Sequence, residues 1–384
     1  MNIVIAPDSY KGSLTAIEVG TTIQQAFLSE FPHAIIEVVP MADGGEGTLD
    51  AFMYAIGGER FCVEATGPLG DKIETEYGVL KDGKTVVIEI AKIAGLPMVP
   101  PEKRDPYKTT SYGIGEVMIH AMEKGYRQFI IGLGGSATND GGLGMLQALG
   151  VTFIDGNGET VKPFGEFVKE VAIADFSSLH PLVKECQFQI ASDVDNPLCG
   201  ERGASHVFGP QKGATPHQVF ELDNALDHYA NVIEKEIGKS FKNVKGAGAA
   251  GGLGYAFLLL GGNMMSGSRI VAEVTLLEEK IKQADWVITG EGQSDFQTLY
   301  GKVPSYVAAI SRQYGAKPIL ISGSLGTGYE RLYEQFVSCH SIASGPMSLE
   351  QCMKQAKELL FTQAKNVARL IKAASVKKRE SPRK

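Results

Sequence analysis

Carboxylates follow apolar runs at several points in this sequence. Asp8 comes after IVIAP, Asp43 and Glu46 after AIIEVVP, Asp193 and Asp195 after FQIAS, and Glu291 and Asp295 after WVITG. A carboxylate within hydrogen-bond reach of a hydroxyl can take its proton, and paired carboxylates suit Mg2+. Two acids compete for the first role. Asp193 has Asp195 and Asn196 beside it, where like charge and partial burial would raise its proton affinity. Asp295 shares TGEGQSD with Glu291, a pairing better suited to a metal ion or a nucleotide. The reading is Asp193 as base, with Asp295 and Glu291 on the metal side. Asx turns and helix N-caps place the same residue types after strands with no ligand involved, so the acids need further support.

Basic residues in glycine-containing loops supply some. Lys11 lies in DSYKGS, Arg202 in CGERGA, Lys212 in FGPQKGA and Lys302 in LYGKVP. A surface lysine is usually a solvated charge, but lysines in such loops are common phosphate contacts. Lys11 could hold either a substrate carboxylate or a phosphate as a point charge, and it is placed with the catalytic group. Glycines concentrate in ADGGEGT, GLGGSATNDGG, GAGAAGGLG and TGEGQSD, where backbone N–H groups can crowd around an anion. The candidate phosphate or substrate contacts are Gly134, Gly135, Ser136, Thr138, Asn139, Asp43, Glu46, Asn196, Arg202, Lys212 and Lys302.

One of these loops has a rival reading. From Gly132 to Ala137 the residues spell G-x-G-x-x-A, and Asp155 ends the next apolar run, as in a dinucleotide-binding fingerprint. Against it, glycines continue at Gly141, Gly142 and Gly144. SATND also puts polar groups where a dinucleotide-binding helix would pack on its sheet. No H-E-x-x-H, G-x-S-x-G, Walker A or protein-kinase signature occurs.

The elements that must position these groups show two textures. IVIAP, AIIEVVP, WVITG, PILISGS and VSCHSIAS read as short strands. Between or after them lie helical stretches over 16–29, 47–56, 303–314 and 349–374. That rhythm suits a flavodoxin-like doubly wound parallel sheet, with the acids at its carboxyl edge. Residues 1–60 and 271–384 therefore form one discontinuous α/β domain. Residues 61–270 form a mixed α/β domain inserted into it, with an antiparallel hairpin at KDGK and helices over 113–124, 216–237 and 249–260. The final KKRESPRK reads as a disordered, solvated basic tail.

A chain of 384 residues with 43% hydrophobic and 21% charged residues has ample material for such a pair of cores. A net charge of −7 points away from nucleic acid and anionic membranes. Five widely spaced cysteines with no C-x-x-C suit a reducing cytoplasm rather than a disulfide framework or zinc site. The N-terminal apolar run is too short for a signal peptide, and glycines interrupt the uncharged 246–268 stretch before it could span a membrane.

Taken in order, APDSYKGSL, MADGGEGT, ATGPLG, GLGGSATNDGG, SDVDNPLCGERGA, FGPQKGA, GAGAAGGLG and TGEGQSDFQTLYGKVP resemble the bacterial glycerate kinases of the first type. The likeness runs from about Ile3 to the final helix, with Tyr10 standing where phenylalanine is frequent. It implies ATP-dependent phosphorylation of glycerate with Mg2+, usually on the 2-hydroxyl, and two α/β domains, one inserted into the other. Product at the 3-position stays open, as does a homodimer, and an NAD-dependent oxidoreductase is the remote alternative. A phosphotransferase needs positioning and charge neutralisation, and the residues above supply both. Closure of a cleft between the domains would exclude water from such a reaction.

Overall fold

The apolar runs IVI, WVIT and PILIS become the central strands of a five-stranded, all-parallel sheet. Its spatial order is Ile35–Val38, Asn2–Ile5, Trp286–Thr289, Lys317–Ser322, Ser338–Ser341. Numbered along the chain, that order is 2-1-3-4-5. The computed structural model describes the backbone of residues 1–380 and the side-chain surroundings of residues 1–374. The three central strands are buried on both faces, which is why they read as unbroken apolar runs rather than alternating ones. Ile319 and Ile321 point into one core, with Val19, Ile23 and Phe27 of helix Ala16–Glu30 and Leu360, Ala364 and Val367 of helix Ala356–Glu380. Leu320, between them, points into a second core with Ala308, Leu332 and Phe336. Helix Ala16–Glu30 begins where the Thr15 hydroxyl accepts the Glu18 N–H and the Glu18 carboxylate accepts the Thr15 N–H. Such a box stabilises a helix start by about 1 kcal/mol.

These elements belong to a unit made of Met1–Asp43, Asp50–Ile56 and Ser268–Lys384. A second unit comprises Gly44–Leu49 and Gly57–Gly267. The second has a six-stranded mixed sheet in the order Asn263–Met265, Gln187–Ala191, Gln128–Gly132, Thr85–Glu89, Lys72–Leu80, Gly58–Thr66. The first four strands are parallel and the last two pairings antiparallel. KDGK makes the turn between Lys72–Leu80 and Thr85–Glu89, where Asp82 accepts the Lys84 and Thr85 N–H groups. Tyr77, Ile88, Phe129, Ile131, Leu146, Phe188, Ile190 and Tyr229 are among the side chains of its core.

Several boundaries differ from expectation, each for a local reason. The stretch 249–260 is helical only over Leu253–Leu259. A 3-10 turn precedes it, with Ala250, Gly251 and Gly252 at φ 53, 70 and 95°, which no α-helix accommodates. The final helix is two helices, Leu349–Lys354 and Ala356–Glu380, broken at Gln355. The backbone of Lys377–Glu380 in the basic tail continues that helix, since no proline intervenes before Pro382. The remaining residues, 381–384, lie outside the described residues.

Asp155 ends the short strand Thr152–Ile154, which pairs antiparallel with Ile173–Asp175 in a separate two-stranded sheet. A dinucleotide-binding unit would place that strand parallel beside Gln128–Gly132, a position taken by Thr85–Glu89 and Gln187–Ala191. Asp155 instead holds its own turn, accepting the Asn157 and Glu159 N–H groups. The dinucleotide reading of Gly132–Ala137 falls on this topology.

Candidate active site

In the first unit the carboxyl ends of three neighbouring strands are stitched together by backbone and hydroxyl contacts. The Thr289 hydroxyl donates to the Ala6 carbonyl at 2.7 Å, the Asp8 N–H to the Gly290 carbonyl at 2.9 Å, and the Tyr10 hydroxyl to the Ile321 carbonyl at 2.7 Å. The Met41 N–H, donating to the Pro7 carbonyl at 2.9 Å, adds the loop after Ile35–Val38. This loop and those after Asn2–Ile5 and Trp286–Thr289 thus share one edge, where ligands of parallel sheets bind. Lys11 Nζ sits 2.8 Å from Asp43 Oδ2, with its side chain 75% exposed. Lys302 Nζ sits 3.2 Å from Glu291 Oε2, while Glu291 Oε1 accepts the Ser294 and Thr298 hydroxyls at 3.0 and 2.7 Å. Glu291 is buried and organises its loop through those three donors.

Asp295 caps the 3-10 turn Phe296–Leu299, its Oδ1 accepting the Gln297 N–H at 2.8 Å. Its Oδ2 has no hydrogen-bond partner among the described residues. Asp8, directly behind the first strand, is a carboxylate that its sequence context alone does not single out. It is buried, and its Oδ1 accepts the Ser9 N–H at 2.7 Å. Burial, together with the Asp43 carboxylate, pushes its carboxyl up to about 7 against the opposing pull of Lys11.

The second unit also has acids and polar side chains at the carboxyl ends of its parallel strands. Asp193 follows Gln187–Ala191; it is exposed, and its Oδ1 accepts the Gly267 N–H at 2.9 Å. Asp195 pairs with Arg202 at 2.9 Å, both side chains more than half exposed. Asn196 Nδ2 donates to the Arg202 carbonyl at 2.7 Å. Glu46 is exposed and lies in this unit, because Gly44–Leu49 is bound to it from both ends. The Gly134 N–H donates to the Gly44 carbonyl at 2.9 Å, and the Glu89 carboxylate accepts the Gly47 and Leu49 N–H groups at 3.1 and 3.0 Å.

The glycine loop after Gln128–Gly132 is therefore shaped by backbone packing. A Cβ at Gly134 would overlap Gly45, and one at Gly44 would overlap the Ala191 carbonyl. The Gly135 carbonyl accepts the Leu96 N–H. Ser136, Thr138 and Asn139 are buried, as is Lys212, whose Nζ donates to Ser136 Oγ at 3.0 Å and the Thr138 carbonyl at 2.6 Å. Asn139 Nδ2 donates to Ser205 Oγ at 2.9 Å, while Thr138 Oγ1 and Asn139 Oδ1 have no partner among the described residues. Asp140, beneath them, accepts the Ser111 N–H and hydroxyl and the Gly142 N–H. Burial raises its carboxyl against those hydrogen bonds. Sequence reasoning missed Glu89, Asp140 and Ser111. Glu89 was visible only as an acid closing the apolar strand TVVIE, and Asp140 only as the last polar residue of SATND.

The chemistry these groups can do is narrow: hold anions with Lys11 and Arg202, take a proton on a carboxylate, and offer an oxygen to a cation. Comparison with known proteins narrows it further. The family model described as glycerate kinase family matches residues 3–372.

This chain belongs to the glycerate kinase family.

It is similar to the glycerate kinase of Halalkalibacterium halodurans, with 48% identity over 95% of this chain and 97% of that one. It is 45% identical to the glycerate 2-kinase of Escherichia coli K12, over 96% of this chain and 97% of that one. A crystal structure of a protein from Salmonella typhimurium LT2 superposes with a TM-score of 0.83 at 44% identity, covering 98% and 99% of the two chains. The enzyme is thus a kinase acting on glycerate, with ATP as the donor its family implies. No helix among its described residues is long and apolar enough to cross a membrane.

Proposed function

We propose that this glycerate kinase transfers the γ-phosphoryl group of ATP to the 2-hydroxyl of glycerate, giving 2-phosphoglycerate. The observation that carries the reading is the pairing of Lys11 with Asp43 at 2.8 Å at the ligand edge of a parallel sheet. An exposed ammonium there can exchange one carboxylate for an anionic substrate with little rearrangement. The 45% identity to a protein named glycerate 2-kinase supports the position of attack.

In this reading the glycerate hydroxyl oxygen forms the new bond to phosphorus as the bond to the β-phosphate oxygen breaks. The hydroxyl proton passes to the Asp193 carboxylate, which is exposed and anchored by Gly267. Arg202, Lys302 and the Asn196 amide are further anion contacts, with Lys212 and Ser136–Asn139 holding the neighbouring loop in place. Mg2+ suits the one carboxylate oxygen of Asp295 that no protein donor occupies, since that ion is usually held by one or two carboxylates plus substrate phosphates. It would neutralise charge on the phosphates, while Glu291 keeps the loop in shape through Ser294, Thr298 and Lys302.

The strand order 2-1-3-4-5 supports a flavodoxin-like, doubly wound first domain. The interruption of that unit after Ile56 supports an inserted second one. Five free cysteines suit a reducing cytoplasm, with small-molecule partners and with a homodimer open. Phosphorus-31 NMR of the product against authentic 2- and 3-phosphoglycerate tests the reading. A 3-phospho product would move the attack to the other hydroxyl, and phosphorylation of neither would end the proposal.

A further inference from the structure

We propose that Asp8 enters the reaction as a neutral carboxylic acid whose O–H donates to the anionic ligand held at Lys11. The inference rests on the phosphoryl-transfer reading above and adds a binding residue to it.

The charge count at the sheet edge motivates it. Three carboxylates meet there, Asp8, Asp43 and Glu291, with two ammonium groups, Lys11 and Lys302. Lys11 is taken by Asp43 at 2.8 Å and Lys302 by Glu291 at 3.2 Å. Asp8 is the carboxylate left without a cation in hydrogen-bond contact among the described residues. It is also buried, with one hydrogen bond, from the Ser9 N–H to Oδ1.

The groups facing it from other elements make its charge harder to keep. Asp43 arrives from the loop after Ile35–Val38, and Glu291 from the loop after Trp286–Thr289. On its own loop, Lys11 favours the charge, while Tyr10 donates its hydroxyl to Ile321 and stays protonated, its proton affinity raised by burial and by Glu291. With every acid ionised this cluster has one negative charge in excess, and a glycerate carboxylate or a phosphate would add more. Protonating Asp8 removes that excess and converts a repelling oxygen into a donor. An apolar surrounding keeps a carboxylic acid neutral for the same purpose in known enzymes. The upward shift of Asp8 agrees with this role.

The donor and the base make opposite demands on Asp8, so one substitution separates them. Asparagine keeps a neutral donor of the same shape and removes the titration; alanine removes both. The experiment measures kcat/KM for ATP and for glycerate against pH in the wild type, Asp8→Asn and Asp8→Ala. The wild type should lose kcat/KM for one of the two ligands on an alkaline limb, by about tenfold per pH unit. The ligand that responds is the one held at Lys11. Asp8→Asn should lower that value by about threefold to tenfold and abolish the limb. Asp8→Ala should lower it by about a hundredfold.

An Asp8→Asn protein that is folded by circular dichroism yet as inactive as Asp8→Ala would show that an ionised carboxylate is required, and would overturn the proposal. So would an alkaline limb that survives in Asp8→Asn. A measurement on the wild type alone guards against misfolded variants. Calorimetric titration of the responding ligand in buffers of different ionisation enthalpy should show net proton uptake, and no uptake would overturn the inference. Failure of the wild type to phosphorylate glycerate at any pH would instead bring down the functional reading, and this inference with it.

Discussion

Lys212 Nζ donates to the Thr138 carbonyl at 2.6 Å, tying together residues 74 positions apart beneath the Ser136–Asn139 loop. The ammonium is buried, with Ser136 Oγ as its other partner and no carboxylate in hydrogen-bond contact among the described residues. Burial therefore draws it down to about 7, against a smaller opposing effect of Asp140. In the sequence Lys212 is a candidate phosphate contact, and in the structure its amine also holds its own loop.

That amine makes stability depend on pH. Its unfolded value is 10.5 and its folded value about 7, so between them the unfolded chain binds the extra proton. Stability should rise with pH across that window. Urea midpoints for the wild type and Lys212→Met at pH 7 and pH 9 test this. The wild type should gain relative to the variant on going to pH 9. A difference that stays constant would mean that Lys212 does not titrate there.

Lys11 makes the opposite kind of prediction, because its side chain is 75% exposed and supports no core. Lys11→Met should leave the melting temperature within about 2 °C of the wild type. Its KM for one anionic substrate should rise by about 10- to 100-fold, as expected for a lost charged hydrogen bond. Unchanged kinetics would return Lys11 to the solvated surface.

Asp193 and Asp295 should fail in different ways. Asp193→Asn should lower turnover by roughly two to four orders of magnitude with little change in ATP affinity. Asp295→Asn should raise the Mg2+ concentration needed for half-maximal rate, read from a metal titration at saturating substrates. The reverse pattern would exchange the two roles and leave the kinase reading intact.

Gly290 tests the stitched edge. A Cβ there would overlap the Ile321 carbonyl oxygen, a backbone atom with no room to yield. Gly290→Ala should destabilise the protein by about 1–3 kcal/mol, measured by denaturant unfolding, and lower activity through displaced Asp8 and Glu291. An alanine variant of native stability would show that the two loops can part at small cost.

The elements legible in the sequence were those whose signals were local. Helix 216–237 was bounded correctly because Thr215, Pro216 and Gln218 begin it and Gly238, at φ 67°, ends it. The buried central strands stood out as continuous apolar runs. The break at Gln355 was invisible, since no glycine or proline marks it. At the site, acids behind strands were legible as types, but their company was not. That Lys302 would be taken by Glu291, or that Asp8 would lie buried with no cation in hydrogen-bond contact among the described residues, depends on pairings between distant segments. The glycines of ADGGEGT and GLGGSATNDGG suit room for an anion, and nothing local in the sequence shows that Gly44 and Gly134 also make room for close backbone contact.

The packing of helix Ala16–Glu30 against helix Ala356–Glu380 sets a timetable for synthesis. Glu30 meets Lys372 at 3.5 Å, 342 residues apart, and the Asn2 N–H meets Asp285 at 2.8 Å, 283 apart. At ribosomal speeds of about 5–20 residues per second, the first helix waits roughly 20–70 s for its partner to be made. During that interval Val19, Ile23 and Phe27 have only Ile3, Ile5 and their early neighbours to pack on, without Leu360, Ala364 and Val367. The second unit, complete once Gly267 has emerged, can fold first, and a segment made before it is among the last to reach its native place. Until then the nascent chain has an apolar stripe on helix Ala16–Glu30, a natural target for the chaperones that meet new proteins at the exit tunnel.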